Sequence, residues 1–217
     1  MESQVRGGTR WKRFAVVMVP SVAATAAIGV ALAQGALAAS FSVSGQQFKV
    51  RAATLEGTGF EQYGALDSGY TLDGQKAARP VAVSAFDHAT ITHLCQSVVT
   101  PNIPVLGSIS LILHAGDGKD AVEADKLYID LDKLDATDAT FHNIDIGVAA
   151  GNTGQDKGGK GPGMKGGGEA ANPFGFAQQA EKAELTDVKQ TAWATTAGTF
   201  KLSGLSMSVQ AGTHECY

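Results

Sequence analysis

No charged side chain occurs between Phe14 and Ala39, and that absence organises the rest of the chain. An uncharged, mostly apolar run of this length reaches across the hydrocarbon core of a bilayer, which takes about 20 helical residues. A soluble core helix is an inferior reading, because a basic lead with Arg6, Arg10, Lys12 and Arg13 precedes the run. Positive charge on that side holds the N-terminus in the cytoplasm and sends the remainder across. Cysteine is scarce too, with Cys95 and Cys216 the only two. A pair of cysteines in an exported chain is read first as one disulfide, not as a metal or redox centre. Removing the first 38 residues takes away four basic side chains and Glu2, so the formal charge falls from −4 to −7. Without a basic stripe the exported part has no electrostatic means of holding a phosphate backbone, which excludes nucleic acid as an expected partner.

Catalytic motifs are lacking as well. There is no G-x-S-x-G, the strained turn that lifts a serine nucleophile; Gly107-Ser108 and Ser203-Gly204 have no helix pattern behind them. A triad assembled from remote residues is a geometry and leaves no sequence mark. Gly154, followed after four residues by Gly159-Lys160-Gly161, approaches a phosphate-binding loop. It fails at the position where Ser or Thr must reach magnesium, and it lacks the flanking strand and helix. Asp130, Asp132, Asp135 and Asp138 lack the turn glycine and terminal Glu of a calcium loop. Asp130 and Asp132 read more simply as the solvent face of an amphipathic strand. His88 and His93 are five apart and fall on opposite faces of a strand, which disfavours a metal pair. His114 is expected on a solvent face and His214 in the tail. No cofactor and no metal site is expected, and the catalytic residues, if any, are not legible.

What is present is alternation. Phe41, Val43, Phe48, Val50 and Ala52 interleave with polar residues, the period of a half-buried strand. Leu127, Ile129 and Leu131 point one way, and Tyr128, Asp130 and Asp132 the other. Gly57-Thr58-Gly59-Phe60 and Tyr63-Gly64 suggest tight turns, and Thr100 to Pro104 a proline-broken loop. Ser44 to Ala52 is echoed by Ser203 to Ala211 and, in its core, by Leu111 to Ala115. Either a true repeat or strands of one composition would produce that echo. The predicted fold is mainly β, an antiparallel sheet or sandwich of short alternating strands, behind one N-terminal membrane or signal helix.

Two further elements complete the reading. Residues 147–168 are so rich in glycine that they cannot offset the entropy of ordering, and a disordered loop is expected there. After it, Asn172 as cap and Pro173 at the first helical position predict a short helix over FGFAQQAEKA. The domain plan is a cytoplasmic lead at 1–13, an anchor or signal segment at 14–39 and an exported β-rich domain at 40–217. Whether the leader is kept stays open. Ala36-Leu37-Ala38 is a small-residue site, with cleavage after Ala38, whereas the apolar run has the length of a spanning helix.

The lead RWKRFAVVMVPSVAATAAIGVALAQGALAASFSVSGQQFKV, the GTGFEQYG segment and KQTAWATTAGTFKLSGLSM together resemble an uncharacterised family of actinobacterial exported proteins. The resemblance covers nearly the whole chain and implies membrane association. Members of that family are often labelled "cholesterol esterase", which implies a sterol or lipid ester hydrolase as the alternative activity; the family supplies no catalytic residues to carry over. The expected function is a non-enzymatic, exported cell-envelope protein. It is anchored through residues 14–39 or secreted, and it binds a lipid or an envelope partner through the apolar face of its sheet.

Overall fold

The computed structural model describes residues 43–105, 107–166 and 169–217, together with the single position Met18. The apolar run 14–39, apart from Met18, and the cleavage candidates Ala36 and Ala38 lie outside the described residues. So does Phe41.

Eleven strands form one antiparallel sheet: β1 (Phe48–Tyr70), β2 (Lys76–Thr92), β3 (Leu94–Ile103), β4 (Gly107–Ala115), β5 (Val122–Asp135), β6 (Asp138–His142), β7 (Asp145–Ala149), β8 (Ala170–Ala171), β9 (Phe176–Thr196), β10 (Thr199–Lys201) and β11 (Ser206–Ala211). The mainly-β expectation holds, but the strands are not short. β1 alone runs 23 residues, and most of the others are segments of longer strands. β2 and β3 pair with β1 in one register, Thr54 to Thr92 and Arg51 to Cys95, so His93 marks a bend and not an end. β5, β6 and β7 likewise follow one another along β9.

Four ladders close a ring. β1 pairs with β2, β2 with β5, β5 with β9, and β9 returns to β1, with Phe60 opposite Ala180. Closing so few strands demands strong coiling, and β1 supplies it. Val43 N–H donates to the Ser68 carbonyl at 3.1 Å, and Tyr70 N–H donates to the Val43 carbonyl at 3.3 Å. A straight β1 would span about 75 Å, yet Val43, five residues before its start, lies against its far end. The bends are local: Gly59, His93, Lys126 and Asp187 all have positive φ, the backbone of a bulge. The glycines read as tight turns at 57–64 therefore lie inside a continuous strand. Gly57 is there because a Cβ would sit 2.3 Å from the Phe86 ring.

The interior of a ring this narrow is filled with small and medium side chains. Ala52, Ala89, Ala124, Ala180, Ala183 and Ala192 are buried among Leu55, Phe60, Phe86, Leu127, Ile129 and Leu185. The helix predicted over FGFAQQAEKA does not form. Asn172–Gly175 is a turn, with Gly175 N–H to Asn172 O at 2.9 Å, and from Phe176 the chain is β9. Alanine and glutamine favour helix weakly, by tenths of a kcal/mol per residue. β9 instead gains a ladder on both sides, β1 on one and β6–β7 on the other.

Candidate functional site

A second, smaller cluster lies on the other face of the strands, around Tyr63, Val83, Ala150 and Ala177, with Tyr128, Met164 and Trp193 packed against it. Residues 150–166, the glycine-rich segment, run across this face. The disordered loop expected at 147–168 has a defined course over the described residues 147–166. Two 3-10 turns, at Ala150–Asn152 and Gln155–Lys157, start it, and Gly154 and Gly161 form a bridge. Its glycines are positions of close approach. A Cβ at Gly161 would stand 2.3 Å from Glu61 Oε2, and one at Gly159 would stand 2.2 Å from the Thr153 carbonyl.

Beneath the segment sit four carboxylates, Glu61, Asp67, Asp130 and Glu169. Glu61 and Asp130 are 0 % exposed and Asp67 4 %. Strand alternation placed Asp130 in solvent. The structure buries it, because Lys165 covers the strand and its ammonium lies 2.7 Å from Asp130 Oδ2. Glu61 Oε2 accepts from Gly163 N–H at 3.0 Å. The Tyr63 hydroxyl accepts from Lys165 N–H at 2.9 Å and faces the Glu169 carboxylate. The Tyr128 hydroxyl donates to the Gly163 carbonyl at 3.0 Å. Arg79 stacks on Trp193, 4.1 Å from the ring centre, and donates to the Tyr70 carbonyl. The backbone of the glycine segment is thus tied to Glu61, Tyr63 and Tyr128, and through Lys160 N–H to Gln179 as well.

The protonation state of the cluster follows from its balance. Four carboxylates face two cations, Lys165 and Arg79. Burial raises the affinity of Glu61 for its proton. Glu61 Oε1 has no donor, since the one hydrogen of the neighbouring Thr153 hydroxyl goes to the Ala150 carbonyl at 2.9 Å. Burial, then the Asp130 charge, moves Asp67 from 3.8 to about 6. Asp67 Oδ2 has no partner, and a proton on the Asp67 carboxyl turns it into a donor beside Asp130. Burial moves Glu169 from 4.5 to about 7, against the lowering effects of Tyr63 and Lys165. Burial likewise pushes the Tyr63 and Tyr128 phenols well above the usual tyrosine range.

This arrangement holds a strap against a barrel; it presents no nucleophile with a base and an open position beside it. The segment that approached a phosphate loop uses its amides internally. Lys160 N–H donates to Gln179 Oε1 at 3.0 Å, and the Lys160 ammonium pairs with Asp145 at 2.8 Å. The loop holds a carboxylate of its own chain where a nucleotide-binding loop would hold phosphate. The other singled-out residues are not brought together. His88 pairs with Asp125 at 2.8 Å and His93 with Asp117 at 3.1 Å, both at the surface. Asp132, Asp135 and Asp138 are exposed, His114 is on β4 and His214 is in the tail, bonding the Ala211 carbonyl. Among the described residues no group of three His, Cys, Asp or Glu side chains is placed to hold a metal ion. Cys95 and Cys216 stand at disulfide distance, with Cα atoms 5.8 Å apart across 121 residues. The tail they pin is laid over β3 and β4, with Cys216 N–H to Ser97 Oγ at 3.0 Å and Ser110 Oγ to the Gly212 carbonyl at 2.8 Å. Sequence reasoning missed Glu61, Tyr63, Asp67 and Glu169. The one available signal was a charge at a position whose alternation partners are apolar.

The fold and the cluster define a small, coiled antiparallel barrel sealed on one face by a glycine-rich strap. Residues 44–217 match the family of unknown function DUF6230, and the chain belongs to that family. No curated protein and no solved structure matches it.

Proposed function

We propose that this is a non-enzymatic module of the cell envelope, carried across the membrane by residues 14–39 and displayed outside it. The observation that carries this reading is the state of the barrel's buried polar groups. Glu61, Tyr63, Tyr128 and Asp130 are committed to the strap, which is how a chain stiffens a scaffold and not how it prepares a reacting group. The Cys95–Cys216 pair suits an oxidising compartment.

Ligand binding belongs on the outside of the sheet. The interior hollows, one lined by Phe60, Phe86 and Phe141 and another by Leu55, Leu94 and Leu127, measure about 100 and 30 Å³. Sites for drug-sized molecules take about 300–1,000 Å³, so a sterol or acyl chain does not fit either of these two hollows among the described residues. One apolar surface available to a lipid or a partner protein is on β4 and β11, around Leu111, Met207 and Val209; Ile146, Phe174 and Phe176 are exposed at another place, by β7 and the start of β9.

The test is fractionation of cells making the full chain, followed by thiol titration and ester hydrolysis assays. The expected result is recovery with membranes or medium, no titratable thiol, and no turnover of short or long acyl esters. A cytosolic, doubly reduced protein overturns the location. Hydrolysis abolished by covalent phosphonate labelling of one serine overturns the non-enzymatic assignment and installs the ester hydrolase in its place.

A further inference from the structure

Two stretches of the chain, His88 to Gly116 and Leu202 to His214, carry no Asp, Glu, Lys or Arg. The fold brings these stretches together, for β3, β4 and β11 lie side by side as a flap that extends beyond the closed ring. Their ladders set Val98, Leu111 and Val209 in one row, and Val50, Gln96, Leu113 and Met207 in the next. Val209 is 66 % exposed and Met207 58 %. The described residues leading into the tip of the flap at the end of β3 read Pro101-Asn102-Ile103-Pro104-Val105. Val105 in that tip is fully exposed and has φ +72°. That backbone conformation calls for glycine or asparagine and penalises a β-branched side chain; a valine held there with its whole surface in water is doubly unfavourable for a domain that stands in water alone.

The position of the flap along the chain says what covers it. Gln46 Nε2 donates to the Val99 carbonyl at 3.0 Å, and Thr100 donates to Gln46 Oε1 at 3.4 Å. Gln46 is therefore fastened near the outer end of β3. The apolar run ends at Ala39, seven residues earlier, and seven residues reach at most about 25 Å. We infer that the flap lies against the lipid bilayer, with Ile103 and Val105 of its tip inserted at the interface. The inference rests on the reading that residues 14–39 stay in the membrane. Attraction to anionic headgroups plays no part, since the flap has no basic residue and the domain is acidic. The contact is apolar burial, independent of lipid charge and of salt.

The experiment uses the full chain reconstituted in phosphatidylcholine vesicles, with one added cysteine carrying an environment-sensitive dye. Val105→Cys and Met207→Cys report the flap, and Thr140→Cys, exposed on β6, reports a strand that pairs only with β9. Brominated acyl chains should quench the dye at 105 by about twofold or more, that at 207 by less and that at 140 negligibly, equally at low and high salt. Flotation of the vesicles separates the two claims. If the protein floats and the dye at 105 stays unquenched, the flap proposal is overturned while the anchor stands. If nothing floats, both fall. A blue-shifted dye at 105 that bromine does not quench, with a cross-linked dimer, assigns the flap to a second copy and also overturns the proposal.

Discussion

Lys165 reaches back 35 residues to the fully buried Asp130, ammonium to carboxylate at 2.7 Å, and so fastens the glycine-rich strap to the middle of β5. Breaking that pair from one side leaves a charge stranded away from water. Lys165→Met is expected to cost about 3–5 kcal/mol, and pairing it with Asp130→Asn should recover a large part. Urea unfolding of the three variants checks the sign and the coupling. A double variant that loses the sum of the two single losses would show that Asp130 does not depend on Lys165.

The buried acids make stability depend on pH in an unusual direction. Asp67 and Glu169 hold their protons more tightly when folded, to about 6 and about 7, than their ordinary values of 3.8 and 4.5. The folded state therefore binds more protons across that window, and stability falls as pH rises through it. Their contribution is fully present below about pH 4 and lost above about pH 7. The urea midpoint should be higher at pH 5 than at pH 8. Asp67→Asn should flatten the slope, and a midpoint that rises with pH would remove the protonated cluster from consideration.

Gly161 and Gly118 are a matched pair of glycines with opposite surroundings. A Cβ at Gly161 meets Glu61 Oε2 at 2.3 Å, whereas at Gly118 it meets nothing within 4 Å. Gly161→Ala should lose about 1–3 kcal/mol by overpacking, and Gly118→Ala should change stability by less than about 0.5 kcal/mol. Thermal melts of both decide it.

Joining Cys95 to Cys216 restricts a loop of 121 residues in the unfolded chain. In the entropic account this contributes about 4–5 kcal/mol. The double Ser variant should melt lower by a matching amount. Hydrogen exchange should speed up first in the tail, at His214 and Cys216, whose amides are held by Ser110 and Ser97.

The alternation of Leu127, Ile129 and Leu131 was readable because burial on one face has a period of two, whatever the neighbours are. The disulfide was readable because two cysteines allow one pairing. Asp130 was misread for a physical reason. A charge on a strand belongs in water unless something covers it, and the cover here comes from a segment whose composition argues for disorder. The glycines of that segment signal conformational freedom when counted. In place they signal contact, because Gly161 leaves room for Glu61 and Gly163 supplies its amide. The alanines of FGFAQQAEKA recur every third residue, as on a helix face. In β9 Ala180 and Ala183 are buried inside a narrow ring closed by four strands, and Ala177 on the other face with Tyr63, Val83 and Ala150.

By itself the sequence determined the β character, the cysteine pairing and the split between an uncharged N-terminal run and an acidic body, since each depends on local pattern or on counting. Tertiary structure alone decided that the strands coil into a closed ring, that four acids gather beneath a strap and that the charge-free stretches meet in one flap. Those outcomes depend on residues far apart in the chain sharing a ladder or a cover, and neither composition nor periodicity within a short window records which distant segments will meet.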